Sequence, residues 1–128
     1  MAQSDLIHGD VTGQIIEAAI RVHRELGPGL LESTYEVCLY HELLGRGLNV
    51  VRQVPLPVVY RQVTLECGYR IDLLVNDVVI VEIKSIKPFD RIHDAQLLSY
   101  LKLSGKRVGL LINFNVEVLK EGIRRRVL

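Results

Sequence analysis

The stretch Tyr69-Arg-Ile-Asp72-Leu-Leu-Val75-Asn-Asp-Val78-Val-Ile-Val-Glu82-Ile-Lys84 constrains the fold more tightly than any other part of the chain. Two apolar segments meet at Asn76-Asp77, the composition of a β-hairpin, and each carries one carboxylate. Side chains alternate between the faces of a strand, so Ile71, Leu73 and Val75 share one face and Asp72 takes the other. On the second strand Val79, Val81 and Ile83 share a face, leaving Glu82 and Lys84 opposite. A two-residue turn at Asn76-Asp77 would pair Val75 with Val78 and separate the carboxylates. A three-residue loop of Asn76, Asp77 and Val78 pairs Val75 with Val79, Leu73 with Val81, and Asp72 with Glu82. Burial fixes register, so the three-residue loop is expected, with Asn76 or Asp77 at positive φ.

That register sets two like charges side by side, which is unfavourable unless something neutralises them. A divalent cation does so, and hard oxygen ligands suit Mg²⁺ or Mn²⁺. Lys84, two residues after Glu82, projects from the same face and is positioned to hold or deprotonate an attacking water. A metal-activated water attacking a phosphodiester is a coherent chemistry for this set. Asp, Glu and Lys near strand ends are also the common make-up of a solvated surface. Leu74 and Ile80 on the charged face argue that it is covered rather than bathed in water.

Around the hairpin the pattern is that of a layered α/β domain. Ile15, Ile16, Ala19, Ile20 and His23 recur at three- and four-residue steps and predict a helix over 11–26, with Asp10 and Thr12 as candidate caps. Gly27-Pro28-Gly29 breaks it, and a second helix over 31–44 closes at Gly45 or Gly47. Strands are expected over 50–54, 57–60, 63–67, 69–75 and 78–84, with Pro55 and Pro57 excluding a central ladder position. A third helix over 91–103 starts after Pro88 and ends at Ser104-Gly105, and a further strand covers 107–112. The tail from Val116 fits a short helix or a strand equally well. Helices packed against one mixed β-sheet follow, in one domain spanning residues 1–128.

The remaining signals mainly exclude. No apolar run approaches the roughly 20 residues of a membrane span, and the start MAQSDLIHGD lacks the pattern of a secretory signal, so a cytoplasmic location is expected. Cys38 and Cys67 stand apart without paired ligand spacing, and His8, His23, His41 and His93 share none, so they read as reduced thiols and as structural or surface histidines. Net charge is only +1, but residues 1–51 hold three Lys/Arg against seven Asp/Glu (−4) and residues 52–128 hold thirteen against eight (+5). Acids gathered on a metal beside a basic rim for phosphate, and ordinary solvated faces, both fit that split.

Gln96 and Tyr100 lie four apart on the third helix and point the same way. Glu32 and Tyr35 stand one turn apart at the start of the second, where Glu32 also suits the helix dipole. Together with the hairpin, these residues resemble a known group. Gly29-Leu-Leu-Glu32-Ser-Thr-Tyr35 is similar to the signature of the GxxExxY proteins of the PD-(D/E)xK nuclease superfamily. The resemblance runs from about Thr12 to Arg126 and takes in Arg70-Ile-Asp72, Val81-Glu-Ile-Lys84, Gln96-Leu-Leu-Ser-Tyr100 and Leu110-Leu-Ile-Asn-Phe114. It implies a restriction-endonuclease-like core, αβββαβ, with a mixed sheet flanked by helices. It also implies metal held at Asp72 and Glu82, with the Ile83 carbonyl and Glu32 as further ligands. Lys84 would then be the catalytic lysine, and Gln96 and Tyr100 would orient substrate or the lysine.

The function so implied is a Mg²⁺-dependent (or Mn²⁺-dependent) nuclease acting on nucleic acid, DNA in the first instance. No membrane partner is expected, whereas a homodimer or an unidentified protein partner fits so small a chain. The competing readings are a non-cleaving nucleic-acid- or protein-binding module with the same fold, and a purely structural subunit.

Overall fold

The computed structural model describes residues 6–87 and 90–128. Pro88, expected to precede the third helix, and residues 1–5 lie outside the described residues. The first helix, α1, runs over Gly9–Leu26 and the second, α2, over Glu32–Gly45. Five strands form the main sheet: β1 Val50–Pro55, β4 Arg70–Val75, β5 Val79–Lys84, β6 Val108–Asn113 and β7 Ile123–Val127. Their order is β1-β4-β5-β6-β7, with β5 and β6 parallel and the other pairs antiparallel. Helix α3, Arg91–Ser104, makes the crossover that the parallel pair requires. The short strands β2 (Val58–Tyr60) and β3 (Val63–Leu65) form a separate hairpin between β1 and β4, turning through left-handed Arg61 and Gln62.

Apolar side chains close the sheet on both sides. Ile15 and Ala19 of α1 and Tyr35 and Leu39 of α2 pack on Leu73, Val81 and Leu110 of one face. Leu97 and Leu101 of α3 pack on Ile80 and Leu111 of the other. A Cβ at Gly109 would stand 2.7 Å from the Leu97 side chain, so the glycine lets α3 settle closely on β6. Pro55 sits in an edge strand, as its missing N–H demands. The tail resolves into a 3-10 turn, Leu119–Gly122, followed by β7 on the opposite edge. Among the described residues no helix is long and apolar enough to cross a membrane.

Helix ends differ in part from expectation. Helix α1 begins two residues early, and its cap position is His8 in a left-handed conformation without a side-chain cap bond. Neither Asp10 nor Thr12 caps it: both lie within the first turn, where the Thr12 hydroxyl donates to the Gly9 carbonyl at 3.2 Å. At the end of α2, Arg46 takes the cap position and left-handed Gly47 follows, letting the Leu48 N–H reach back to the Leu43 carbonyl at 3.2 Å.

The hairpin register is the three-residue one, with Val75 opposite Val79, Leu74 opposite Ile80 and Leu73 opposite Val81. Asn76 and Asp77 both have positive φ, at 51° and 58°. One assignment is overturned. Ile71 does not join Leu73 and Val75 in the core beneath α1 and α2; it packs with Ile80, Leu97 and Leu111 beneath α3. The β1–β4 register is the same on both sides, Arg52↔Leu73 and Val54↔Ile71, but the pair between them is missing from the ladder and Gln53 there is left-handed, φ 52°. Beyond that break both partners, Val54 and Ile71, turn to the α3 side. Asp72 sits at that break.

Candidate active site

Past the Leu73–Val81 pair, the two carboxylates stand in for the ladder between β4 and β5. The Asp72 N–H donates to Glu82 Oε2 at 2.8 Å, and the Ile83 N–H donates to Asp72 Oδ2 at 2.8 Å. Each acid therefore satisfies a main-chain donor of the other's neighbourhood, which fixes both side chains against the sheet. Glu82 is only 4% exposed, whereas Asp72 is half-buried.

Burial at this spot weighs on both groups. Loss of solvent pushes the Glu82 carboxyl up to about 8, and the charge of Asp72 adds to the rise. The Asp72 N–H and the Lys84 ammonium pull the other way without cancelling it. Asp72 is also raised, by burial first, against the Ile83 N–H, Lys84 and the Gln53 amide. Burial thus favours the protonated form of both carboxyls, Glu82 the more strongly.

Lys84 ends β5 on the same side of the strand, and its backbone is firmly seated. Its carbonyl accepts from the Phe114 N–H at 2.9 Å. The next residue, Ser85, donates its hydroxyl to the Leu30 carbonyl at 2.6 Å. Buried Asn113 accepts from the Ile86 N–H at 3.2 Å and donates to the Ile86 carbonyl at 3.1 Å. The Leu30 end of that anchor is itself held, because the Tyr35 hydroxyl donates to the Gly27 carbonyl at 2.5 Å and accepts from the Leu30 N–H at 3.1 Å. Tyr35 stacks on Phe114, with 4.4 Å between ring centroids. Tyr35 of the Gly-x-x-Glu-x-x-Tyr segment is thereby a structural residue, and its contacts end next to the lysine.

Lys84 opens onto a cleft of about 560 Å³, lined also by Tyr69, Ile92, His93, Gln96 and Tyr100. The Gln96 amide donates to the Tyr100 hydroxyl at 3.3 Å, so the two do face the same way. The Tyr100 phenol is raised by burial and then by the nearby charge of Glu82, which ties this wall of the cleft to the carboxylate pair. His93 accepts from the Asp90 N–H at 3.3 Å within the α3 capping box, and His23 bonds the Val116 carbonyl at 2.8 Å. Both are bonded to main-chain groups, and His93 also lines the cleft.

Two acids on α2 behave differently. Glu32, the first residue of α2, is exposed. Glu36, one turn further on the same face, is 6% exposed and points toward the break in the ladder. It accepts from Arg52 at 3.2 and 3.0 Å and from the Gln53 amide at 2.6 Å. The same Gln53 nitrogen lies 3.4 Å from Asp72 Oδ1, so Gln53 bridges α2 to the carboxylate pair. Sequence reading overlooked Glu36 and Gln53. A signal for Glu36 was present: it falls at helical spacing with Leu39 and Leu43, an acid inside an apolar stripe.

The donor chemistry fits a hard divalent ion, since burial pushes both neighbouring carboxyls toward protonation and a cation would favour their charged forms. No cluster of three or more His, Cys, Asp or Glu suited to a metal is present among the described residues, at this pair or elsewhere. Cys38 and Cys67 are free thiols.

A family model for the PD-(D/E)XK nuclease superfamily matches residues 9–126. The chain belongs to that superfamily, whose members generally use divalent metals, and its five-stranded mixed sheet flanked by helices is consistent with the restriction-endonuclease-like fold. Neither the comparison with curated proteins nor that with solved structures brings up a match.

Proposed function

We propose that this protein is a Mg²⁺-dependent nuclease of the GxxExxY group that hydrolyses nucleic-acid phosphodiester bonds, with DNA as the first substrate to try. The observation that carries the reading is the paired Asp72 and Glu82, locked by reciprocal backbone bonds and crowded enough to retain a proton, beside Lys84 at the mouth of a cleft. Asp72, Glu82 and the Ile83 carbonyl would hold Mg²⁺ or Mn²⁺. Bound there, the ion supplies Lewis-acid stabilisation of the phosphate and lowers the pKa of water. Asp72 and Glu82 fix the geometry, and Glu82 gives up its proton as the ion binds. The Lys84 ammonium would orient the attacking water against the phosphate, the water's proton passing to solvent as the ion lowers its pKa. Gln96 and Tyr100 hold the substrate strand against the opposite wall.

The resemblance assigns a further metal contact to Glu32, whereas burial and the Gln53 bridge favour Glu36 as the acid from α2 that acts on the centre. Glu36→Gln is therefore expected to lower cleavage at least tenfold and Glu32→Gln less than twofold, rough figures for losing a placed charge as against an exposed one. Equal effects would return the role to Glu32.

Cleavage of labelled single- and double-stranded DNA and RNA, with Mg²⁺, Mn²⁺ or EDTA, tests the activity. Asp72→Asn and Lys84→Ala are each expected to cost about 10²-fold or more. Asn keeps an acceptor for the Ile83 N–H, so this loss reports charge rather than unfolding. Metal-independent cleavage, or cleavage that survives in both variants, would discard the assignment. Binding without any cleavage would favour the non-cleaving module.

A further inference from the structure

The cleft beside Lys84 has walls of a kind that catalysis alone does not explain. Tyr69 is 47% exposed, with its ring edge-on to Tyr100 at 6.1 Å between centroids. Ile92, in the first turn of α3, is 66% exposed, and Val58 lines the cleft from the β2–β3 hairpin. Exposed Tyr69 and Ile92, with half-buried Val58 beside them, give the cleft an apolar wall open to a ligand. Among the described residues lining the cleft, Lys84 is the only Lys or Arg. A surface built to grip a duplex takes most of its contacts from phosphate-binding cations, and this wall lacks them.

Size points the same way. A cleft of about 560 Å³ lies within the span that encloses a small molecule, roughly 300–1,000 Å³. A cleft of that size encloses a nucleotide-sized group rather than a stretch of double helix. A base inside a duplex must leave its stack to enter, whereas an unpaired base is free to do so. Tyr69 offers that base a π-face, and the Gln96 amide and Ser99 hydroxyl, also at the wall, offer hydrogen bonds to its edge.

We infer that the cleft takes one unpaired base stacked on Tyr69, so that the strand presented to the carboxylate pair is single-stranded nucleic acid. The inference rests on the nuclease reading for what happens at the phosphate, but base binding is measurable without cleavage. Fluorescence anisotropy in EDTA, with the full chain, uses labelled oligothymidylate, oligouridylate and a DNA duplex of the same length. Both single strands, or one of them, should bind more tightly than the duplex. Tyr69→Ala should weaken single-strand binding about tenfold, and Tyr69→Phe, which keeps the ring, less than about twofold. Ile92→Ala should weaken it a few-fold, roughly, while duplex binding stays unchanged in all three.

Equal or tighter binding of the duplex, or Tyr69→Ala matching wild type while melting normally, overturns the inference. Metal-dependent cutting of duplex that ignores Tyr69 would also sink it and leave the nuclease standing. Tyr69-dependent binding of single strands with no cutting in Mg²⁺ or Mn²⁺ would do the reverse.

Discussion

At the scale of single residues the proposed chemistry leans on Glu82, whose carboxyl is pushed far from its ordinary behaviour. In the unfolded chain it releases its proton near 4.5; in the folded chain burial and Asp72 hold the proton up to about 8. Between those values the folded state binds a proton that the unfolded state does not. This contribution to stability is complete below pH 4.5 and is lost as pH rises through about 8. Urea denaturation of metal-free protein should show stability falling across this window, on the order of a few kcal/mol. Glu82→Gln carries no such proton and still accepts from the Asp72 N–H, so its curve should lose that slope and lie above wild type near the alkaline end. A wild-type stability that is flat or rising over the window would mean that Glu82 is not held protonated. The same proton competes with a cation, so cleavage in Mg²⁺ should increase with pH toward the same value.

At the scale of elements, the hairpin turn does the most to bring the acids together. Asn76 holds φ 51° while its side chain accepts from the Asn49 N–H at 2.9 Å and its own N–H donates to the Asn49 carbonyl at 2.7 Å. Asn76→Ala should cost about 1–3 kcal/mol in urea denaturation, from the left-handed backbone and the lost side-chain bond together. Asn76→Gly should cost less, because only the bond is lost. This turn was legible in the sequence because Leu73, Val75, Val79 and Val81 admit one register in which all are buried. The face of Ile71 was not legible: a left-handed glutamine carries no signature in residue type, and the ladder changes face at the Gln53–Asp72 position. The choice between Glu32 and Glu36 was likewise open, since four residues along one helix face look alike until the neighbouring strand is in place. Residues 116–127 were ambiguous because β7 holds Arg124, Arg125 and Arg126, an unusual composition for a strand. Arg124 and Arg126 are accounted for by Asp94 on α3, at 2.5 and 2.7 Å, a partner invisible to local pattern.

At the scale of the whole molecule, the carboxylate pair and the fold stabilise or destabilise each other through the ion. A cation that binds only the folded state should raise stability by about 2.7 kcal/mol at a concentration of 100 Kd. Thermal melts in Mg²⁺ or Mn²⁺ against EDTA should show that gain in wild type and lose it in Asp72→Asn, whatever the substrate proves to be. Equal shifts in both proteins would locate the ion elsewhere. The exchange of ladder bonds for carboxylate bonds also bears on how such a chain can change over time. Alanine at both Asp72 and Glu82 would strand the N–H groups of Asp72 and Ile83 inside the sheet, a penalty of about 1–3 kcal/mol each. A descendant that gave up its chemistry therefore has two economical routes, amides in place of the acids or a re-zipped strand pair. Either would leave a legible scar in the strand pair, amides at positions 72 and 82 or a restored ladder bond.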